Sequence, residues 1–259
     1  MTDIDDIADR YLKIVDKIMG FIPYDMKPWK EFFFNPASVV RKDMKEFWPR
    51  MADMYVFEAI SAVIAIAIII PSALINMLFL PAPENERLAA FMPFFAAFGA
   101  AAGIVLGVGL TILFAMLGPF ITAAYAGLEY LVARLLKGAG NYKEHFNASV
   151  LPTLGVFVIL LPITLAIVPV SWFESIPAIS CCMALVQIPL GIISALLGLY
   201  GLYLKYKAFV VVHKTGQWST IAIIFVPMLL LVGLFILAAV LLYASLFALL
   251  FNAAALGGI

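Results

Sequence analysis

Charged residues are scarce in this sequence, and their absence from long stretches decides its class. Only 12% of the 259 residues are Asp, Glu, Lys or Arg, whereas 65% are hydrophobic. Four stretches of at least 28 residues carry no charge: residues 88–128, 146–173, 175–204 and 215–259. About 20 apolar residues cross a bilayer as a helix, and lipid offers no partners to an open backbone. Because one water-soluble core cannot bury all these stretches, the sequence predicts an all-α, polytopic membrane protein.

Reactive side chains are equally scarce. The chain has two His and two Cys, and it contains no HExxH, GxSxG or GxxxxGKS/T motif. We interpret His145 and His213 as helix-end residues, with a two-ligand metal site as the minor alternative. The adjacent Cys181 and Cys182 lack metal-site spacing. We therefore expect no catalytic residues, no cofactor and no metal, and a formal net charge of zero gives no reason to expect nucleic acid as a partner.

The number of membrane crossings follows from the placement of Lys and Arg, because cationic loops stay in the cytoplasm. Residues 59–80, 146–173, 176–204 and 219 onward each form one candidate span, whereas residues 88–137 could hold one or two. One span there puts fifteen of the sixteen Lys and Arg residues inside and only Arg87 outside. We therefore predict five spanning helices. Residues 103–137 form the second, and residues 88–98 form a re-entrant or surface helix.

The first 54 residues are predicted to precede the transmembrane domain, residues 55–259, as amphipathic helices on the cytoplasmic side. They lack the basic start and compact apolar block of a signal peptide, so we expect a cytoplasmic N-terminus in a multi-pass membrane protein. The following residues recur at helical spacing: Ile4, Ile7, Tyr11, Val15, Ile18 and Ile22. The polar face is acidic, which favours docking on this protein over binding to anionic lipid. A partner-binding helix is the alternative.

Asn35 and Pro36 are typical of a helix start. The helix that they begin is expected to lie in the inner membrane interface, where cations contact lipid headgroups. Those cations are Arg41, Lys42, Lys45 and Arg50.

Two polar segments that contain glycine connect the later spans. Arg134 and Lys137 suit the last turn of the second helix, with Gly138 predicted as its left-handed cap. Asn141 and Glu144 have capping-box spacing. Residues 213–220 show the same arrangement of a basic helix end followed by a glycine, with Gly216 predicted as the cap. We interpret both segments as cytoplasmic hinges, formed by Gly138, Gly140, Tyr142, Glu144, His213 and Gly216.

Ionisable residues inside the spans need partners, because burying a charge in lipid is costly. We predict a network near the cytoplasmic rim in which Glu58 and Glu129 meet Lys205 or Arg134. Structural pairing is the favoured interpretation, and a proton or ion role is the alternative.

Glycines in the second span predict close helix packing. Gly99, Gly103 and Gly107 form a GxxxGxxxG pattern, which lets a neighbouring helix approach closely. The fourth span, through Gly191, Gly198 and Gly201, or a second copy of the chain could supply that neighbour.

The order of these features resembles the Yip1 family of membrane proteins. The resemblance rests on Asn35-Pro36 before the first span, on YLVARLLKGAGNYKEHFNASVLP after the second, and on GLYLKYKAFVVVHKTGQWST before the fifth. The family pattern is Gly-Gly, a small residue, an aromatic and an acid, followed by a proline. It is matched by Gly138, Gly140, Tyr142, Glu144 and Pro152, with Ala139 interrupting the glycine pair. The resemblance implies five spans and a cytoplasmic N-terminus, and for eukaryotic members a Golgi or vesicle-trafficking role.

Three functions are weighed on this basis. The favoured one is a non-enzymatic membrane scaffold or trafficking-type protein in the cell membrane, or in the Golgi and endomembranes if the source is eukaryotic. Its expected partners are the lipid bilayer, a cytoplasmic protein and a second copy of the chain. A small transporter or channel with Glu129 in its pathway is the alternative. An intramembrane enzyme ranks last, because the catalytic motifs are missing.

Overall fold

The structure, a computed structural model, describes residues 4–42, 44–78, 91–173 and 176–256. These residues form eight α-helices and no strand, so the predicted all-α class is confirmed. Three short helices come first: α1 (Ile4–Phe21), α2 (Lys27–Phe34) and α3 (Pro36–Lys42). Five long helices follow: α4 (Phe47–Leu78), α5 (Met92–Leu135), α6 (Tyr142–Phe173), α7 (Pro177–His213) and α8 (Gln217–Leu256).

Each of the five long helices is long and apolar enough to cross a membrane. Apolar side chains are exposed along them, as at Leu106, Leu196 and Phe235, and such surfaces require a lipid bilayer around the protein. The predicted five-helix membrane architecture is therefore confirmed. Over its described residues, the last charge-free stretch, residues 215–259, holds one helix, since α8 is unbroken from Gln217 to Leu256.

The predicted re-entrant or surface helix at residues 88–98 is wrong where the structure describes it. α5 begins at Met92 and continues for 44 residues to Leu135. Pro93 lies in its first turn, where proline has no hydrogen bond to break, so nothing separates this segment from the rest of the span. Residues 79–90, which include Arg87 and the start of the predicted re-entrant segment, lie outside the described residues.

Helix α6 is the centre of the fold. Helices α1 to α5 and α7 all pack on it, whereas α8 packs on α5 and α7. Its buried residues are concentrated in the first half, from His145 to Leu161. Gly155 explains one close approach, because a Cβ there would lie 3.0 Å from the carbonyl oxygen of Trp29 in α2. The core therefore lies near the starts of α4 and α6.

The amino-terminal arm, residues 4–42, belongs to this core. Trp29 and Phe32 of α2 are fully buried, and Val15 of α1 is only 1% exposed. The Tyr11 hydroxyl donates a hydrogen bond to the carbonyl oxygen of Ile159 in α6. The preferred interpretation of the first helix, docking on its own protein, is thus confirmed, and the predicted boundary after residue 54 falls inside α4.

Candidate functional site

Polar side chains gather where α4, α6 and α8 begin and where α5 and α7 end. We call this the basic end of the bundle, because the following described cations lie there: Lys45, Arg50, Arg134, Lys137, Lys143, Lys205, Lys207 and Lys214. The two connections at this end touch, since the Ala139 amide donates to the carbonyl oxygen of His213 over 3.0 Å. Two buried polar clusters lie beneath these connections.

The Glu129 cluster joins three spanning helices. Glu129 of α5 is fully buried. Its Oε1 accepts a hydrogen bond from Lys205 Nζ of α7 at 2.5 Å, and its Oε2 accepts one from Ser149 Oγ of α6 at 2.8 Å. The Lys205 side chain is 14% exposed and also lies over the ring of Tyr125. These two bonds compensate the burial of the Glu129 carboxylate.

Two histidines extend this cluster toward the connections. His145 Nε2 lies 3.7 Å from Glu129 Oε2, and His145 Nδ1 lies 2.7 Å from His213 Nε2 at the end of α7. Both imidazoles are buried, and the His145 ring stacks on Phe209 with 4.6 Å between ring centroids. The cluster therefore runs from Lys205 through Glu129 and His145 to His213.

The sequence of α6 explains how one helix serves both clusters. His145 and Ser149 are four residues apart and share a face, which points toward α5 and α7. Asn147 lies on the opposite side of the helix, since two residues correspond to a rotation of about 200°. That side faces α4 and the amino-terminal arm.

The Asp53 cluster occupies this opposite side. Asp53 and Arg50 of α4 are fully buried, and Arg50 Nη1 donates to Asp53 Oδ2 at 2.6 Å. Lys45 Nζ lies 3.0 Å from both Asp53 oxygens, and Arg50 Nε donates to Asn147 Oδ1 at 2.7 Å. The Tyr24 hydroxyl donates to Asp53 Oδ1, and burial, helped by this hydrogen bond, raises the pKa of Tyr24. The cluster therefore bonds the arm to α4 and α6.

Asn147 completes this cluster as a donor. Its Nδ2 donates to the carbonyl oxygens of Lys45 at 2.9 Å and Lys143 at 2.8 Å. The Asn147-Ala148-Ser149 sequence matches a glycosylation pattern, but all three residues are buried.

Of the predicted rim network, the structure brings together Glu129 and Lys205 and leaves out Glu58 and Arg134. Glu58 lies against Gly118 of α5, eleven residues from Glu129 along that helix, or about 16 Å. Its depth was misjudged because α4 begins at Phe47, so Glu58 lies three turns into the helix. Arg134 is exposed, and its guanidinium lies 6.0 Å from the Tyr130 ring centroid.

The predicted headgroup contacts of the second amphipathic segment are wrong for Arg50. Its side chain is fully buried in the Asp53 cluster, and Lys45 also turns to Asp53. The side chains of Arg41 and Lys42 lie outside the described residues.

Of the three glycines in the GxxxGxxxG pattern of the second span, one allows close helix packing. A Cβ on Gly107 would lie 3.2 Å from Ile69 of α4, whereas Gly99 and Gly103 have nothing within 4 Å. The suggestion that α7 receives these glycines is wrong. Gly201 packs on Val156 of α6, and Gly191 and Gly198 face open space. The partner of Gly107 is α4 because consecutive helices pair as a hairpin.

The connections at the basic end differ from the prediction in their caps. The left-handed residues are Lys137 (φ 60°) and Lys214 (φ 53°), and no described glycine has positive φ. Gly138 is required for a different reason, since a Cβ there would lie 2.8 Å from His213 Nδ1. Gly140 is likewise pressed against Val212, whereas Gly216 has nothing within 4 Å.

The predicted capping box is confirmed. The Asn141 amide donates to Glu144 Oε2 at 3.0 Å, and the Glu144 amide donates to Asn141 Oδ1 at 2.9 Å. This capping box starts the long helix α6. The Tyr142 hydroxyl donates to the carbonyl oxygen of Ala123 at 3.0 Å, which ties this start to α5. Hinge motion here stays a prediction.

Within the described residues, no group of three or more His, Cys, Asp and Glu side chains could hold a metal ion. Glu129, His145 and His213 are neighbours but do not converge on one point. His145 faces Glu129 with Nε2 and His213 with Nδ1, on different sides of its ring. Two cavities lie at the arm instead. One is a cleft of about 690 Å³ between α1 and α2, and the other is an apolar groove of about 470 Å³ between α1, α4 and α6.

Sequence reasoning missed Asp53, Ser149 and the role of Asn147. One usable signal was the spacing of Arg50 and Asp53, which lie three residues apart and so meet on one helix face. The partners of Ser149 and Asn147 come from helices distant in sequence, so no local pattern identifies them.

Comparison with known proteins gives no relative from which to transfer a function. No family model, no curated protein and no solved structure matches the chain.

Proposed function

We propose that this chain is a non-enzymatic, Yip1-type integral membrane protein that acts as a scaffold and binds a protein partner through its amino-terminal arm. The observation that carries the proposal is the open cleft between α1 and α2. Its volume of about 690 Å³ is in the range of ligand-binding pockets. A folded arm with such a cleft suits recognition of a partner rather than simple anchoring.

The lining of the cleft indicates what kind of partner would fit. Asp25 and Glu31 supply acidic groups, Lys27 a basic one, and Lys30 pairs with Asp16 over 2.6 Å. Met19, Met26 and Phe34 supply the apolar lining, and of these Phe34 is exposed. Charges of both signs around an apolar floor suit a protein segment that is itself amphipathic, because such contacts set orientation and specificity.

We further infer that the basic end faces the cytoplasm. Lys and Arg residues near the ends of spans favour that side, and the single cation in the opposite connections is Arg87. On this basis the N-terminus is cytoplasmic. The protein belongs in the cell membrane, or in the Golgi or other endomembranes if its source is eukaryotic.

Filling the cleft tests the proposal. Gly20 lines it and has nothing within 4 Å of an added Cβ, so Gly20→Phe occupies the space without disturbing the core. A photo-crosslinking amino acid placed at Glu31 in living cells should capture a discrete partner in the wild-type background. We expect Gly20→Phe to reduce that capture at least tenfold at equal protein level.

Gly216→Phe is the matched control, because Gly216 is also exposed at the basic end with open space around it. It should leave capture unchanged. Equal capture by wild type and Gly20→Phe, or equal loss in both variants, would remove the cleft from the account. Deleting residues 1–50 is a poor test, since it removes Trp29, Phe32 and Arg50 from the core.

Transport through Glu129 is the second candidate. Glu129 is bonded to Lys205 and Ser149, and it lines neither the cleft nor the apolar groove, which favours the structural interpretation. The purified protein in liposomes is expected to give no proton flux above empty vesicles. Flux that disappears in Glu129→Gln would instead favour the transporter.

A further inference from the structure

The His145–His213 contact has two nitrogens left over. Within the described residues, His145 Nε2 and His213 Nδ1 have no hydrogen-bond partner, although both are buried. The two facing nitrogens, His145 Nδ1 and His213 Nε2, lie 2.7 Å apart, a distance that requires one hydrogen between them. Few assignments of hydrogens to the four ring nitrogens are therefore possible.

The neighbouring carboxylate selects one of them. Glu129 Oε2 lies 3.7 Å from His145 Nε2, and a carboxylate faces an N–H rather than a lone pair. With both rings neutral, His145 thus carries its hydrogen on Nε2 and accepts at Nδ1. His213 donates from Nε2, which leaves its Nδ1 as a bare lone pair against Gly138.

The charges around the pair decide how many protons it can take. Glu129 and Arg134 come from α5, together with the Tyr130 ring, and Lys205 comes from α7. Apolar side chains of the described arm and of α8 also pack around the end of α7: Phe32, Val39, Val40, Ile223 and Ile224. Of Glu129, Arg134 and Lys205, only Glu129 is an anion, and it lies on the His145 side.

We propose that the His145–His213 pair is a proton-binding site that holds at most one extra proton while the two connections at the basic end stay joined. The first proton binds His213 Nδ1, and the shared hydrogen moves to His145 Nδ1. His145 then carries both N–H groups and the positive charge beside Glu129. His213 is neutral, with its hydrogen on Nδ1 and its acceptor on Nε2.

A second proton has only His213 Nε2 to bind. That atom faces the Nδ1–H of His145 at hydrogen-bond distance. A second proton would place two N–H groups against each other on two positively charged rings, so the rings must separate. His213 also accepts the Ala139 amide hydrogen bond through its carbonyl oxygen and presses on Gly138 and Gly140. Separation of the rings therefore releases the connection between α5 and α6 from the end of α7.

The wild-type protein offers a direct test, because these are its two His residues. Labelling with ¹⁵N-histidine gives four ring-nitrogen signals, followed by NMR in bilayers or micelles as the pH is lowered. We expect two separate steps, with the charge on His145 after the first. Hydrogen exchange of the Ala139 amide should rise at least tenfold, corrected for intrinsic rate, at the pH of the second step.

Two results would overturn the site. One is a single step in which both rings titrate independently near about 6.5, as free histidine does. The other is hydrogen exchange of the Ala139 amide that does not change at the second step.

The His145→Gln variant keeps a neutral side chain that can accept a hydrogen bond from charged His213. In this variant the Ala139 amide should stay protected from exchange at acidic pH. Lys214→Gln is the matched control and should keep both steps. These results are independent of the partner-binding proposal.

Discussion

At the scale of single residues, the basic end is held together by two fully buried carboxylates, those of Asp53 and Glu129. Asp53 is fully buried and bonds to Arg50, Lys45 and Tyr24. Removing one member of a buried ion pair is costly because the remaining charge stays buried without compensation. Exposed ion pairs are worth little by comparison, since water screens them.

Asp53→Asn should therefore be strongly destabilising. It leaves Arg50 and Lys45 without their carboxylate, and we expect the free energy of unfolding to fall by about 3–5 kcal/mol. Unfolding followed in detergent by circular dichroism measures this loss. Asp9→Asn is the control. The Asp9–Lys13 pair lies on the surface, with side chains 61% and 73% exposed, and its loss should cost about 0–1 kcal/mol. Similar values for both variants would contradict the role of the Asp53 cluster.

How far single residues could be predicted depended on their surroundings in the sequence. Glu129 and Lys205 stand out because a long apolar stretch precedes each of them, and the structure pairs them. Arg50 lies in a segment rich in charge, so its burial has no local signature. Which charges leave the surface depends on contacts between distant helices, and composition does not contain that information.

At the scale of helices, the ends at the connections are defined by two lysines in the left-handed conformation. The Gly138 amide bonds to the carbonyl oxygen of Ala133 at 2.8 Å and the Lys137 amide to that of Arg134 at 3.1 Å, which is a Schellman motif with Lys137 at its left-handed position. Such a conformation costs a residue with a side chain about 1 kcal/mol. The sequence pattern predicts this conformation at the neighbouring Gly138 instead, because glycine is the usual residue at a left-handed cap.

Substitutions at these two neighbours should have opposite effects. Lys137→Gly relieves the left-handed strain and should raise the free energy of unfolding by about 0.5–1 kcal/mol. Gly138→Ala puts a Cβ 2.8 Å from His213 Nδ1 and 3.0 Å from the carbonyl oxygen of Ala133, and should lower it by about 1–3 kcal/mol. The same unfolding measurement applies. Gly127→Ala, inside a helix with open space, controls for glycine replacement and should not destabilise.

The lengths of the helices were the least predictable feature at this scale. Hydropathy identified the apolar segments, but α4 and α6 begin before them, at Phe47 and Tyr142. Polar residues in these first turns are buried by neighbouring helices, as Asn147 is. A helix that extends past the apolar stretch needs such tertiary partners, so its true start is set by packing.

At the scale of the whole molecule, five long helices and a folded arm form one structure. The number of helices follows from apolar length and charge placement, which are properties of the sequence. The insertion of α2 against Gly155 of α6 does not, because it depends on shape complementarity between distant segments. The central claim is that the basic end, with both connections, lies on the cytoplasmic side.

The most direct test of that claim is the accessibility of single cysteines in intact cells. Cys181 and Cys182 are first replaced by Ala, and Gly216→Cys then places a thiol at the basic end, where there is open space. A membrane-impermeant maleimide should label Gly216→Cys only after permeabilisation, and Glu84→Cys, in the connection between α4 and α5, in intact cells. Labelling of Gly216→Cys in intact cells, with Glu84→Cys protected, would contradict the account.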